Sequence, residues 1–224
     1  AGGTRRPYAF LAAFGLLRQR NFAVVVAIAF LASIVNPFYY NFVFLYLTDP
    51  GALALAPSVA NWAQSLGQLV EVGVLVGLAA SLRRLGIKGI LMVGIGAQGL
   101  RFAVFALGKP GWLVIASIGL HGFVFTFFMV GLMIAVERLS DPAYRASAQG
   151  LLTFARSGVG ALGGQLLAGR VYDACALPGG GHAWTWVFAL PAVLTGVGLV
   201  AFAALFRGPE AAAATSRTAR AASV

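Results

Sequence analysis

Four polar side chains with helical spacing interrupt one apolar stretch of this sequence. They fall within an arc of about 80° on a helix and so form one stripe on one face: Asn61, Gln64, Gln68 and Glu71. A carboxylate in apolar surroundings can bind and release a proton, and amide side chains can donate and accept hydrogen bonds. Because such a stripe is very unfavourable toward lipid, it predicts a cavity or a helix contact, with Glu71 as the proton-binding candidate.

Other polar or aromatic side chains share the depth of this stripe. Counted at 1.5 Å per residue from the basic ends of the apolar stretches, six of them lie roughly 14–24 Å in: Asn36, Gln68, Glu71, Arg101, His121 and Phe125. His121 can bind a proton or form hydrogen bonds, and Phe125, one turn further, can stack on a planar ligand. Arg101 and Arg156 are interpreted as structural or charge-pair groups. A buried structural pair between Glu71 and either arginine is the alternative to a functional role.

An enzyme active site is not predicted. Hydrolysis inside a membrane needs a Ser/His arrangement, paired carboxylates or a metal cluster. The apolar stretches supply one deep histidine and one deep carboxylate, His121 and Glu71. We therefore expect no enzymatic activity, no metal and no cofactor.

The candidate residues lie in six long apolar segments. The chain of 224 residues is 60% hydrophobic and only 10% charged, and a run of about 20 apolar residues crosses the hydrocarbon core of a bilayer as a helix. The composition predicts an all-α, polytopic protein of the lipid bilayer with six transmembrane helices, at 22–47, 57–80, 88–108, 112–136, 147–171 and 184–206.

The net charge of +10 is distributed in a way that predicts orientation rather than nucleic-acid binding. Twelve of the 16 basic residues flank alternate ends of the segments: Arg5, Arg6, Arg18, Arg20, Arg83, Arg84, Lys88, Arg138, Arg145, Arg207, Arg217 and Arg220. Cytoplasmic loops of membrane proteins carry such an excess. Both termini are therefore predicted to be cytoplasmic.

Three regions follow from this reading. Residues 1–21 are interpreted as the end of a cytoplasmic linker with an amphipathic helix at 8–20, and 22–207 as the transmembrane bundle. Residues 208–224 lack apolar periodicity and are predicted to be a disordered cytoplasmic tail. The first residue is Ala1 rather than Met, so we expect a fragment of a longer protein.

Two glycine pairs predict how the helices pack. Gly73 with Gly77, and Gly160 with Gly164, have the small-xxx-small spacing that lets membrane helices approach closely. Tight packing of the second and fifth segments is therefore expected.

Several short motifs resemble one family of membrane proteins. The basic loop 82–88 (LRRLGIK) resembles the loop after the eighth helix of major facilitator transporters, and six spans equal half of that fold. More narrowly, the chain resembles the C-terminal half of nucleoside:proton symporters over about residues 15–205. The motifs are 33–38 (SIVNPF), 68–71 (QLVE), 101–106 (RFAVFA), 121–128 (HGFVFTFF), 148–152 (AQGLL) and 158–161 (GVGA).

The resemblance implies a function for the candidate residues. By this resemblance, the polar ligands of a nucleoside-like substrate are Asn36, Gln68 and Glu71. Phe125 forms an aromatic wall beside His121. Protons and a missing N-terminal six-helix half are the implied partners. The implied location is a bacterial inner (plasma) membrane.

The sequence departs from the family at three positions. Ser33 falls where a glutamine is usual, His121 where a tyrosine is usual, and Thr126 where an acidic residue is common. Glu71 is consequently the only deep acid. A carrier of another small polar solute, and a membrane protein that binds without transporting, stay open as alternatives.

Overall fold

The computed structural model describes residues 14–208, which are almost entirely helical. A short 3-10 turn at Gly15–Arg18 precedes α1, Arg20–Thr48. A 51-residue helical stretch, Pro57–Leu107, contains α2 and α3. Then follow α4 at Gly111–Leu139, α5 at 145–174, and α6 at Trp184–Leu205. Within 14–208 the only β pairing is one isolated bridge, Ala176 to His182. The predicted all-α fold is confirmed.

The stretch Pro57–Leu107 is two helices joined at a single glycine. Gly86 has φ 65° and ψ 177°, so it separates α2 (57–85) from α3 (87–107). This backbone region is essentially restricted to glycine, because a Cβ would collide with the neighbouring peptide groups. The sharp break lets the chain reverse its direction almost without a loop.

Replacing Gly86 with alanine tests this break. We expect Gly86→Ala to lower the free energy of unfolding by about 1–3 kcal/mol, because a side chain is strained in this conformation. Thermal unfolding of the purified protein in detergent measures the loss. Gly89→Ala is no suitable control, because a Cβ there would lie 2.8 Å from Leu85 Cβ. Gly196→Ala on the exposed face of α6 serves instead, since nothing lies within 4 Å of it. Equal stability of Gly86→Ala and the control would contradict the strain argument.

Length and hydropathy identify four candidate membrane spans in the described residues: Arg20–Thr48, Pro57–Leu107, Gly111–Leu139 and Trp184–Leu205. The second of these contains α2 and α3. Helix α5 is not among them, although it is long enough to cross a bilayer at about 1.5 Å per residue. Six membrane crossings therefore stay a prediction, while the predicted segment positions agree with the helices to within a few residues.

Two apolar clusters fill the interior of the bundle, and a polar layer lies between them. One cluster includes Phe22, Ile90 and Phe128, and the other includes Phe42, Phe105 and Phe188. The buried side chains Gln98, Arg101 and His121 belong to neither cluster. They lie where the chain passes from one cluster to the other, so the structure brings polar groups of separate helices to one level of the bundle.

The two predicted glycine pairs behave differently. A Cβ at Gly164 would lie 2.5 Å from the Ser33 carbonyl oxygen, and Gly160 also packs against Ser33, so α5 approaches the backbone of α1 closely. At Gly73 and Gly77 nothing lies within 4 Å of the Cβ position. The expected tight packing is thus confirmed at the pair in α5, whereas the pair in α2 faces away from the described helices.

Some sequence predictions fall outside the described residues. Residues 1–13, which include nearly half of the amphipathic helix predicted at 8–20, and residues 209–224, which make up nearly all of the predicted tail, lie outside the described part. In the described part, the amphipathic segment contributes the 3-10 turn Gly15–Arg18, whose Leu16 joins the apolar cluster around Phe22. The three-region division stays a prediction.

Candidate functional site

Three ionisable side chains from three helices meet in the polar layer. His121 of α4 lies between Glu71 of α2 and Arg101 of α3. Its Nε2 is 3.8 Å from Glu71 Oε2, and its Nδ1 is 3.3 Å from Arg101 Nη1. The sequence left open a direct pair between Glu71 and an arginine. In the structure the imidazole separates the carboxylate from the Arg101 guanidinium.

Arg101 is the largest fully buried side chain of the described residues, with 1% of its surface exposed. Its guanidinium carbon lies 3.7 Å from the centroid of the Tyr39 ring, which is a cation–π contact. Its Nε has no hydrogen-bond partner among the residues that the structure describes. A buried charge with so few hydrogen bonds is costly, so the contacts to His121 and Tyr39 are the main compensation for its desolvation.

The close approach of α2 and α4 positions Glu71 beside His121. A Cβ at Gly122 would lie 2.5 Å from the Glu71 backbone nitrogen, and one at Gly67 would lie 3.0 Å from His121 Cβ. Only residues without side chains let the two backbones meet at this level. The glycines on either side of the contact therefore hold the carboxylate and the imidazole within reach of each other.

A cavity of about 410 Å³ opens next to this cluster, between α1, α4 and α5. It falls within the range of about 300–1,000 Å³ typical of small-molecule sites. Its lining is mainly apolar with a few polar groups: Ser33, Asn36, Pro37, Tyr40, Phe125, Met129, Val130, Met133, Arg156, Ser157, Ala161 and Gln165. The rings of Tyr40 and Phe125 lie 6.2 and 6.4 Å from that of His121, so the ionisable cluster adjoins the cavity.

Both helices on one side of the cavity change to π-helix where they line it. The π-helical segments are Val124–Val130 in α4 and Phe154–Gly160 in α5. Arg156 Nη1 lies 3.4 Å from Met129 Sδ and so connects the two segments. Short π-helical segments within α-helices occur frequently at functional sites. Here they turn Phe125 and Arg156 toward the same space.

Amide side chains complete the polar lining. Gln98 Nε2 donates to Asn36 Oδ1 at 3.0 Å, and Asn41 Nδ2 donates to Gln165 Oε1 at 2.6 Å. The first bond holds the Asn36 side chain from the buried side of α1. Asn36 is also one of the residues that line the cavity.

The structure brings five of the six deep candidates together. Glu71, His121 and Arg101 form the cluster, while Phe125 and Asn36 line the adjoining cavity. Gln68 is exposed, one turn before Glu71 on a face of α2 that the described helices do not cover. Its role and those of the other candidates stay predictions.

Sequence reasoning missed Tyr39, Tyr40 and Gln98. Tyr39 is a residue of α1 whose ring contacts the guanidinium of Arg101, and Tyr40 lines the cavity. The available signal was spacing, because Tyr40 lies four residues after Asn36 and so shares its face. Gln98 precedes Arg101 by three residues and shares its face in the same way.

An all-helical bundle with apolar spans, a polar layer and a cavity between helices is the architecture of half of a major facilitator transporter. The sequence profile of the family described as Nucleoside H+ symporter matches residues 5–211. The chain belongs to this family, so the resemblance read from the motifs is confirmed. The relatives are transporters rather than enzymes, and the chain is an integral membrane protein.

Curated relatives in Escherichia coli (strain K12) show the same relationship. The chain is 31% identical over 202 residues to the protein YegT, covering 86% of this chain and 46% of YegT. It is 31% identical over 172 residues to nucleoside permease NupG, covering 73% of this chain and 41% of NupG. A xanthosine permease is also 31% identical, over 175 residues. The chain thus spans about half the length of the curated relatives that it matches.

Solved structures of NupG match the fold. A crystal structure of a NupG mutant superposes with a TM-score of 0.79 at 29% sequence identity, covering 92% of this chain and 54% of that chain. A second NupG crystal structure gives a TM-score of 0.73 at 29% identity, over 88% of this chain and 51% of that chain. The predicted half of a major facilitator fold is thereby supported by direct superposition.

Proposed function

We propose that this chain forms the C-terminal half of a secondary transporter that takes up nucleosides by proton symport. One observation carries the proposal: in a member of the nucleoside H+ symporter family, a Glu71–His121 pair adjoins a cavity with an aromatic wall. The pair supplies a group that can bind a proton, and the cavity supplies space for a planar ligand. Their proximity lets proton binding and substrate binding influence each other.

The substrate is held by stacking and by amide hydrogen bonds in this proposal. Phe125 is 39% exposed and borders the cavity, so a nucleobase can stack on its ring. Asn36 and Gln68 donate to and accept from the base and ribose, and Glu71, when it is protonated, donates to a ribose hydroxyl. His121 lies beside this aromatic wall, with its ring 6.4 Å from that of Phe125.

Proton coupling follows from the position of Glu71. Its side chain is half-buried, with 20% of its surface exposed, so it can reach both His121 and the open side of α2. Proton binding neutralises the carboxylate, so the loaded carrier can change between its two open states without an unpaired charge in the membrane interior. Release of the proton on the other side of the membrane then favours release of the substrate.

An N-terminal six-helix half is the proposed partner of the uncovered face of α2. This face carries Gln68, whose side chain is exposed among the described residues. A polar stripe facing lipid would be unfavourable, so a second bundle is the fitting cover. Rocking of the two halves around the site gives alternating access, the mechanism that internal repeats support in secondary transporters.

The proposed location is a bacterial inner (plasma) membrane with both chain ends in the cytoplasm. The excess of arginine and lysine at alternate helix ends supports this orientation. The relatives from E. coli support a bacterial membrane.

Uptake of radiolabelled uridine by the natural protein that contains this chain, in proteoliposomes, tests the function. We expect accumulation when the outside is more acidic, and its loss when a protonophore dissipates the gradient. Equilibrium binding of uridine without uptake would instead support a non-transporting binding protein. Failure of uridine and adenosine to compete with an accumulated solute would support a carrier of another small polar compound, which the departures at Ser33, His121 and Thr126 make worth testing.

The aromatic wall can be tested separately. We expect Phe125→Leu to raise the KM for uridine about tenfold, because base–aromatic stacking contributes about 1–3 kcal/mol per base. Phe125→Tyr keeps the ring and is expected to retain the KM within about threefold. Initial uptake rates over a range of uridine concentrations give both values. Equal KM values for Phe125→Leu and Phe125→Tyr would show that the ring does not stack on the substrate.

A further inference from the structure

The imidazole of His121 lies between a permanent hydrogen-bond donor and a carboxylate. Arg101 Nη1 is 3.3 Å from Nδ1, and Glu71 Oε2 is 3.8 Å from Nε2. Each ring nitrogen therefore faces one charged partner, and the two partners have opposite sign. This arrangement determines where the ring can carry its proton.

The hydrogen-bonding capacity of arginine fixes the tautomer. A guanidinium only donates hydrogen bonds and does not lose its proton in proteins, so Nδ1 must accept with its lone pair. A neutral imidazole has one protonated nitrogen, which then has to be Nε2. The Nε2–H consequently faces Glu71, whose Oε2 lies 3.8 Å from Nε2.

Aromatic side chains hold the ring in this orientation. Tyr39 stacks on it at 5.4 Å with an interplanar angle of 15°, and Tyr40 meets it edge-on at 6.2 Å. His121 is only 5% exposed, so few other positions are open to its ring. Since Arg101 itself lies on the Tyr39 ring, the guanidinium and the imidazole share one support.

We propose that His121 is a positioning residue with a fixed neutral tautomer, which directs an N–H at Glu71 and does not itself carry a transported proton. The inference rests on the proposed symport function and deepens it. A second proton on Nδ1 would have to displace the Arg101 contact and would place two cations side by side. The titratable and charged groups that face the ring or its aromatic neighbours are, by helix, Tyr39 and Tyr40 of α1, Glu71 of α2, Arg101 of α3 and Arg156 of α5.

The distance of 3.8 Å between Nε2 and Glu71 Oε2 is longer than a direct hydrogen bond. Rotation of the glutamate side chain closes the gap when Glu71 is ionised. A protonated Glu71 is attracted less strongly and is released toward the cavity. His121 thereby makes the position of Glu71 depend on whether its proton is bound.

Nitrogen NMR of the natural protein, labelled at its histidine rings, tests the tautomer without any transport measurement. The two ring nitrogens have distinct shifts when protonated and unprotonated. We expect His121 to show a protonated Nε2 and an unprotonated Nδ1 at neutral pH, with His121→Gln used to assign its signals. A protonated Nδ1, or a cationic ring, would overturn the proposal.

Transport by two variants of His121 separates positioning from proton carrying. Glutamine offers one donor and one acceptor and does not titrate, so His121→Gln is expected to lower the rate of uptake but to keep proton-driven accumulation and its dependence on pH. His121→Phe keeps the ring but offers neither group, and is expected to lose about tenfold or more. Loss of accumulation in both variants, while downhill exchange persists, would identify His121 as a proton carrier and overturn the proposal.

Removal of the guanidinium gives a third readout. In Arg101→Met the lone pair of Nδ1 is freed, so the ring can take up a second proton between about pH 5 and 8. We expect the pH profile of uptake to gain one ionisation in this range, and Arg101→Met combined with His121→Gln to lose it again. A profile of Arg101→Met that is identical to wild type would count against the role of Arg101.

Failure of this inference is distinguishable from failure of the proposed function. If the wild-type protein accumulates no nucleoside, symport is wrong, and the NMR experiment still decides the tautomer. If the wild type accumulates uridine and His121→Gln does not, only the positioning role is wrong.

Discussion

Glu71→Gln is expected to abolish proton-driven accumulation of uridine and to leave exchange down a concentration gradient intact. Glutamine has the size of glutamate and still meets the His121 ring, but it cannot bind a transported proton. One unit of pH gradient corresponds to about 1.4 kcal/mol, so one-proton symport allows about tenfold accumulation per unit, and the variant should fall to a ratio of about one. Uptake at several external pH values in proteoliposomes measures this ratio.

Glu137→Gln is the matched control for this experiment. Glu137 is an exposed carboxylate near the C-terminal end of α4, paired with Arg145 at 3.4 Å, and it is not among the residues that line the cavity. We expect this variant to accumulate uridine like the wild type. If acid stimulation persists in Glu71→Gln, the coupling group is elsewhere and the proton-binding role of Glu71 is wrong.

Gly122→Ala is expected to destabilise the bundle and to reduce transport strongly. The new methyl group would lie 2.5 Å from the Glu71 nitrogen and 2.7 Å from the Val70 carbonyl carbon. Both are backbone atoms of α2 and cannot turn aside, so α4 has to move away. Overpacking of this kind costs about 1–3 kcal/mol in the free energy of unfolding. It also widens the space between His121 and Glu71, so coupled uptake should fall more than downhill exchange.

Thermal unfolding and uptake of the same preparation measure the two effects. Gly196→Ala again provides the control, because a Cβ there meets nothing within 4 Å and alanine favours a helix. We expect the control to unfold at or above the wild-type temperature. A Gly122→Ala protein with wild-type stability and coupling would show that the close contact between α2 and α4 does not position the pair.

The helices could be predicted because the bilayer imposes their length and composition. Uninterrupted apolar segments mark α1, α4 and α6, and their predicted limits agree with the structure to within about a turn. The sharp connection at Gly86 could not be read from composition. A glycine in a basic segment is compatible with a loop, and only the backbone angles show that two helices meet there almost directly.

The site could be predicted by depth but not by contact. Counting residues placed Glu71, Arg101 and His121 at one level, because the rise of a helix is constant. Which of them touch depends on helix rotation and on the glycine contacts between α2 and α4, neither of which follows from one sequence. The position of His121 between the two charged groups therefore came from the structure.

The sequence could not predict which helix each glycine pair contacts, for a related reason. The spacing of Gly73 and Gly77 is the same as that of Gly160 and Gly164, yet only the second pair meets α1. Spacing predicts that a helix has a narrow face, and it does not say which surface meets that face.

Because α4 and α5 are both π-helical beside the cavity, the shape of the cavity depends strongly on the number of residues in these two segments. A π turn holds more residues than an α turn, so removing one residue inside Val124–Val130 would restore a regular helix. Everything beyond the deletion would then rotate by about 100° relative to Phe125. Natural variation in this family that shortens or lengthens these segments by a single codon would thus reshape the binding pocket more than most amino-acid replacements.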